Sequence, residues 1–139
     1  MSKIGRYSAQ RKKVQALGAT ATTITVADCG TEFTLTQGAA VDHTLPTAAS
    51  AGAGWWASFT LITAASNDVD IVSADGDDII LCSVDGAGAT GAMSNTPNDK
   101  VTFVSGTALA GDNIYIWCDG SNWYARSLSA ANGGVIASG

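Results

Sequence analysis

The chain is poor in charge and in the residue types that most often carry out chemistry. Charged residues make up only 14% of its 139 residues, and it has one histidine, two prolines and three cysteines. Typical soluble domains are about 25% charged. No apolar run approaches the ~20 residues of a membrane span, and the polar, basic start lacks the apolar core of a secretory signal. We therefore expect one module made in the cytoplasm, without a membrane partner.

The cysteines and aspartates suggest no metal or cofactor. Cys29, Cys82 and Cys118 form no CxxC or Cys/His cluster, so we interpret them as buried small hydrophobic residues in a reducing compartment. The aspartates from 68 to 78 have enough oxygens for calcium. They lack the spacing of an EF-hand loop, and turn formation explains them equally well. Calcium binding therefore stays open, and we predict no cofactor.

Candidates for catalysis are equally scarce. His43 is the only histidine, and its neighbour Asp42 points to the opposite face if the two lie on a strand. No GxSxG motif, P-loop or strand-anchored GxGxxG occurs, and the glycine-rich stretch 86–92 is predicted to be a loop. We expect no enzyme and no small-molecule substrate, with His43 at a core edge or an interface.

Charge is divided sharply along the chain. The first thirteen residues carry +5, whereas the remainder has two basic and twelve acidic residues, a net charge of −10. An acidic body disfavours nucleic-acid binding, which depends largely on phosphate neutralisation. Residues 1–18 are predicted to be an extended or partly helical arm with its own partner, the alternative being a disordered tail without a role. The partner-binding candidates in this arm are Lys3, Ile4, Arg6, Tyr7, Arg11, Lys12 and Lys13.

After Gly18, short β-rich runs alternate with turn residues. The first predicted strand is 22–26, with Ile24 and Val26 on one face, and the small residues 48–54 are predicted to form a turn. Phe33 and Leu35 oppose Thr34 and Thr36, for example, as expected when successive strand side chains point to opposite faces. The pattern predicts an all-β domain over residues 19–128: an antiparallel β-sandwich or small barrel, jelly-roll-like, of about nine short strands. Residues 85–99 are predicted to be a loop, and residues 129–139 a flexible C-terminal tail.

Two predicted strands, 55–63 and 114–118, are apolar on both faces. Their nominally exposed side is aromatic, which is typical of a protein–protein surface. The alternative is that both faces are buried in a two-layer fold or covered by loops. The candidates for an oligomer interface are Trp56, Ile62, Tyr115, Trp117 and Tyr124.

Several motifs within residues 20–127 together resemble virion proteins of tailed bacteriophages. A TLPxAAxAG-like segment precedes an aromatic strand, an Asp-rich stretch follows, and a DGxNWY-like turn ends the pattern. In this sequence these elements are Thr44-Leu45-Pro46 with residues 48–52, residues 55–63, Asp78-Ile79-Ile80, Gly111-Asp112 and residues 119–124. They are similar to elements of both capsid decoration (cement) proteins and fibre domains.

The basic arm favours the decoration proteins, because it looks like the arm that such proteins lay on a capsid. The resemblance implies a homotrimer on the virion surface that binds the major capsid protein and stabilises the assembled shell. The arm would clamp capsid subunits or neighbouring decoration subunits. The alternative is a tail or head fibre module that binds host carbohydrate through Trp56, Trp117 and Tyr124.

Overall fold

A computed structural model describes residues 11–36, 39–74, 76–85 and 93–139. Strands dominate it, with one short α-helix, α1 (Ala48–Ala51), and one 3-10 turn, Val26–Asp28. The first six strands are β1 (Lys13–Leu17), β2 (Thr22–Thr23), β3 (Thr31–Leu35), β4 (Val41–Thr44), β5 (Trp56–Leu61) and β6 (Val69–Val72). The other six are β7 (Ile79–Asp85), β8 (Met93–Asn98), β9 (Lys100–Phe103), β10 (Asn113–Cys118), β11 (Trp123–Ser129) and β12 (Val135–Ser138).

These strands form two sheets packed face to face. The larger sheet has seven strands in the order β1-β3-β5-β10-β11-β7-β8, and the smaller has five in the order β12-β9-β6-β4-β2. Each inner face is apolar because alternate residues of every strand point inward. The predicted all-β sandwich is thus confirmed, as two open sheets and not a closed barrel.

The chain alternates between the two sheets over its first six strands. β1, β3 and β5 lie side by side in the larger sheet, and β2, β4 and β6 lie side by side in the smaller, all in parallel. β7 then returns to the larger sheet beside β11, also in parallel. The expected antiparallel, jelly-roll-like pairing is therefore wrong in detail, because both sheets are mixed. The first six strands cross between the sheets and pair in parallel, whereas β7 with β8 and β10 with β11 pair antiparallel.

The core between the sheets contains the residues that the alternation predicts. Phe33 and Phe59 stack on neighbouring strands with ring centroids 5.2 Å apart, and both are fully buried. Trp55 and Trp123 meet edge to face, also at 5.2 Å. The Trp55 indole donates to the Val26 carbonyl oxygen at 3.1 Å. Trp55 is therefore a core residue, and the next residue along the chain faces outward.

Four local predictions fail. Of the cysteines expected to be buried, Cys118 is buried but Cys29 is exposed, because it lies in the turn that follows the 3-10 segment. The expected strand 22–26 ends at Thr23, because Val26 starts the 3-10 turn and is exposed, although Ile24 is buried as expected. Part of the expected loop 85–99 is strand β8. The predicted small-residue turn around Ser50 holds α1, whose N-cap Thr47 accepts a hydrogen bond from the Ser50 amide.

The predicted flexible tail, 129–139, contains strand β12, which pairs antiparallel with β9 and buries Val135. A buried carboxylate, that of Asp112, holds the turn before this strand. It accepts hydrogen bonds from the Ser129 hydroxyl and the Ala130 amide, each at 2.9 Å. Gly134 fits against Ser129 so closely that a Cβ there would collide with its hydroxyl. The small residues of this segment are typical of a mobile tail, which is why composition predicts flexibility. In the structure the same residues allow close packing.

Within the described residues, no helix is both long enough and apolar enough to cross a bilayer.

Candidate functional site: the aromatic face of the larger sheet

Four aromatic side chains form one cluster on the outer face of the larger sheet. Trp117 of β10 lies in register with Trp56 of β5 on one side and Tyr124 of β11 on the other. Tyr115, two residues before Trp117 on β10, points to the same face. We call this cluster, Trp56, Tyr115, Trp117 and Tyr124, the aromatic face.

The rings of the aromatic face pack on one another. Trp117 and Tyr124 are stacked, with centroids 4.6 Å apart and an interplanar angle of 18°. Trp56 and Tyr115, a diagonal pair, lie 5.9 Å apart at 30°. Cross-strand aromatic pairs each contribute about 0.2–1 kcal/mol. The four rings thus form two packed pairs that lie side by side on one face of the sheet.

Strand alternation explains why these rings face outward. Their sequence neighbours Ala57, Ile114, Ile116 and Ala125 all point inward and are buried. Both faces of β5 and β10 are consequently apolar, as the sequence predicts. The outer face is not covered by another layer within the described chain, since Trp117 remains 37% exposed.

The turn between β10 and β11 holds one edge of this surface. The Asp119 carboxylate accepts the amides of Ser121 and Asn122, both at 2.8 Å, and the Tyr124 hydroxyl at 3.0 Å. The backbone hydrogen bonds from Asn122 and Ser121 lower the pKa of Asp119. The bond to Asp119 raises the pKa of Tyr124. Gly120 takes a φ of +97° in this turn, a conformation that favours glycine.

Other groups extend the surface. The Arg126 guanidinium lies 5.1 Å from the Tyr115 ring centroid, within cation–π range. Leu128 and Ile62 point outward beyond the rings and are 62% and 49% exposed. Of the interface candidates, four therefore belong to one cluster, and Ile62 lies at the end of β5 away from it. Arg126 and Leu128 are additional members that strand pairing reveals.

A polar patch separates the aromatic face from Ile62. The Asn113 side-chain amide donates to the hydroxyls of Ser58 at 2.8 Å and Thr60 at 2.7 Å. The Thr60 hydroxyl donates in turn to the Glu32 carboxylate at 2.6 Å. These polar groups are hydrogen-bonded to one another. The part of the outer face that still lacks contacts therefore consists of its apolar side chains.

The described part of the N-terminal arm is joined to the body. Residues 13–17 form β1, an edge strand parallel to β3. The Lys13 ammonium contacts the Asp28 carboxylate at 3.0 Å, and Lys12 approaches Glu32 at 3.7 Å. Burial tends to raise the pKa of Asp28, but the bonds from Thr25 and Lys13 outweigh it and the pKa is lowered.

The predicted free arm of residues 1–18 is therefore corrected at its C-terminal end. Lys12 and Lys13 have partners within their own chain, because β1 finds a parallel neighbour that is distant in sequence. Arg11 is exposed. The remaining predicted arm contacts lie outside the described residues: Lys3, Ile4, Arg6 and Tyr7.

His43 lies on β4, next to the two-residue edge strand β2 of the smaller sheet. It is fully buried, and neither ring nitrogen has a hydrogen-bond partner among the described residues. Burial lowers its pKa, partly offset by the charge of Asp42. A side chain in this position cannot reach a substrate in solvent.

Asp70 of β6 and Asp68, which precedes that strand, have protein partners. Asp70 accepts from the Lys100 ammonium at 2.6 Å and from the Thr102 hydroxyl, and Asp68 accepts the Ser105 amide at 2.7 Å. The bond to Asp70 raises the pKa of Lys100. In the part of the chain that the structure describes, no group of three His, Cys, Asp or Glu residues is placed to hold a metal ion.

No family model, curated protein or solved structure matches this chain.

Proposed function

We propose that the protein is a structural virion module that decorates the outside of an assembled phage capsid as a homotrimer. The observation that carries the proposal is the aromatic face, a cluster of packed rings on the outside of the larger sheet. Contiguous apolar surface of this kind is typical of protein–protein contacts. A second copy of the chain is its proposed partner, and the major capsid protein is the proposed partner of the basic N-terminal residues.

The geometry favours a protein partner over a sugar. Trp117 and Tyr124 cover one face of each other, and Arg126 lies over Tyr115. A carbohydrate platform needs ring faces open to the ligand, whereas protein interfaces are rich in Tyr, Trp and Arg. The stacked rings and the neighbouring guanidinium therefore favour a contact with protein, as in the assembly function, over the carbohydrate binding of the fibre-type alternative.

The proposed assembly needs two separate contacts. The aromatic face is assigned to contact between copies of the chain, so it is not available for the capsid. We therefore assign the capsid contact to the basic N-terminal residues, which lie on a different part of the sequence.

Lys3, Arg6 and Arg11 are the basic residues left for that contact once Lys12 and Lys13 are paired internally. Exposed ion pairs contribute only about 0.2–1 kcal/mol each. In a trimer, however, docking of one arm makes docking of the others intramolecular, at effective concentrations around millimolar. Binding only the assembled shell would then stabilise that shell by mass action.

The trimer is tested by two matched substitutions. Trp117 is 37% exposed on the larger sheet and Ile136 is 38% exposed on the smaller, so both can be changed to threonine with similar risk to folding. We expect Trp117→Thr to convert the trimer to a monomer in sedimentation equilibrium, and Ile136→Thr to leave it unchanged. A monomeric wild-type protein, or a trimeric Trp117→Thr variant, would contradict the proposed interface.

The capsid contact is tested by deleting residues 2–10, which leaves β1 and its ion pairs intact. We expect the shortened protein to remain trimeric and to lose at least tenfold in binding to heads of the phage that encodes it. Replacing Lys3 and Arg6 with glutamine should give part of that loss. Full head occupancy by the shortened protein refutes the clamp, and specific binding to a glycan array would favour the fibre-type alternative.

A further inference from the structure

His43 is the one buried side chain in the described residues that has an ordinary pKa near neutrality. Its strand, β4, lies between β2 and β6, and His43 is in register with Thr22 and Ile71. The side chain is 0% exposed. Only β2, two residues long, separates β4 from the edge of the smaller sheet. The ring is therefore buried near a part of the sheet with few backbone hydrogen bonds.

The hydrogen bonding of this ring is incomplete. A neutral imidazole has one N–H donor and one acceptor nitrogen, and an added proton makes both nitrogens donors. Neither nitrogen of His43 is bonded within the described residues. Protonation would place an unpaired charge among apolar side chains, which is among the most costly changes in a protein interior.

Among the charged groups described on the neighbouring elements, only Asp42 offsets that charge, and it does so less than burial opposes it. On its own strand Asp42 points to the outer face, as does Asp70 on β6 beside Lys100. β2 contributes only Thr22 and Thr23. The interior titratable groups described on the opposite sheet lie at the two ends of β10, where Cys118 contacts the Ala48 carbonyl oxygen and Asp112 binds Ser129 and Ala130.

We propose that His43 is an acid-sensitive switch, whose protonation opens the β2–β4 edge of the smaller sheet and weakens the sandwich as the pH falls below neutrality. The switch is independent of the proposed capsid role, because it acts on the folded module itself.

The direction follows from proton linkage. In the unfolded chain the ring has its ordinary pKa of 6.5, and burial lowers the pKa of the folded state. The unfolded state therefore binds more protons below pH 6.5, and folding stability falls as the pH falls. For one such group the ratio of folded to unfolded protein drops by up to about tenfold for each pH unit. The hydrogen bonds to Asp28 and Asp119 lower the pKa of each of these carboxyls, which moves their titration further below this pH range.

The test compares urea unfolding at about pH 7.5 and about pH 5.5 for wild type, His43→Leu and His43→Gln, at one protein concentration. We expect wild type to lose about tenfold in its folding equilibrium constant over this interval, and both variants to lose less than about twofold. His43→Gln keeps a polar side chain without titrating, so it separates loss of charge from loss of polarity. Equal pH dependence in wild type and variants would overturn the proposal.

A second measurement needs no variant. Amide hydrogen exchange, corrected for its intrinsic pH dependence, should show earlier opening at the lower pH for Asp42, His43 and Ile24, whose amide bonds the Thr44 carbonyl oxygen. Amides of β10 and β11 should keep their protection. Uniform loss of protection in both sheets, or none at β4, would refute local opening even if neither variant folds.

Discussion

The two outer faces of the sandwich differ although their inner faces are alike. The larger sheet presents the stacked rings of the aromatic face to solvent, whereas the smaller sheet presents the row Asp42, Asp70, Thr102 and Ile136. Both sheets obey the same alternation, and both bury aliphatic and aromatic residues inward. The fold therefore requires only the inner faces to be apolar. The composition of each outer face can differ without changing the fold.

Each outer face is also held together differently. On the larger sheet, apolar rings stack across strands. On the smaller sheet, the Asp70 carboxylate accepts hydrogen bonds from a lysine and a threonine of β9. Asp70 is itself only 7% exposed. The smaller sheet has thus completed its polar contacts within the chain. The larger sheet keeps an apolar outer surface, to which we assign the proposed contact with another copy of the chain.

Of the changes that test this difference between the two outer faces, we expect Asp70→Ala to have the largest effect, because it removes the hydrogen bonds that connect the polar side chains of the smaller sheet. Lys100 and Thr102 would lose their shared acceptor, and we expect a loss of about 1–2 kcal/mol in the free energy of unfolding, since the half-exposed Lys100 can regain water. Urea unfolding at neutral pH measures it. Asp42→Ala, at the exposed neighbouring position, is the matched control and should change stability by less than about 0.5 kcal/mol. Equal losses would show that Asp70 is an ordinary surface residue.

The smallest effect is a titration at the edge of the aromatic face. Because Asp119 accepts the Tyr124 hydroxyl, the phenol of Tyr124 should titrate above its ordinary pKa of 10.0. Asp119→Asn removes the negative charge and should bring that pKa back towards the ordinary value. Ultraviolet absorbance of tyrosinate follows the titration, with Tyr124→Phe identifying the signal. If the titration of Tyr124 is the same in both proteins, the turn does not hold the ring in place.

Side-chain alternation made much of the core predictable. The inward positions of Phe59, Ile114 and Phe103 follow from period-two patterns that any pleated strand must show, and the structure confirms them. The same reasoning placed Trp117 and Tyr124 on one outer face. It did not reveal Arg126 as their neighbour, because that depends on the register between β10 and β11.

Strand pairing was harder to predict because parallel partners lie far apart in sequence. Nothing in residues 13–17 shows that they pair with 31–35, so β1 was assigned to a free arm. Strand β12 was not predicted, for a related reason. Its small residues are typical of mobile tails, and their close packing depends on Asp112 and Ser129, which precede it in the sequence. The interior position of His43 follows from alternation, since Val41 is also buried, but its missing hydrogen bonds depend on tertiary packing.

The winding of the chain also dictates an order of assembly. β5 and β7 are not neighbours in the larger sheet, because β10 and β11 lie between them. The half made of β1, β3 and β5 therefore cannot join the half containing β7 until residues 113–129 have been synthesised and inserted. Until then β5 has an open, apolar edge, a ready template for pairing with other chains. Ribosomal products that stop short of residue 113 would expose that edge permanently and aggregate, however well their first six strands had wound.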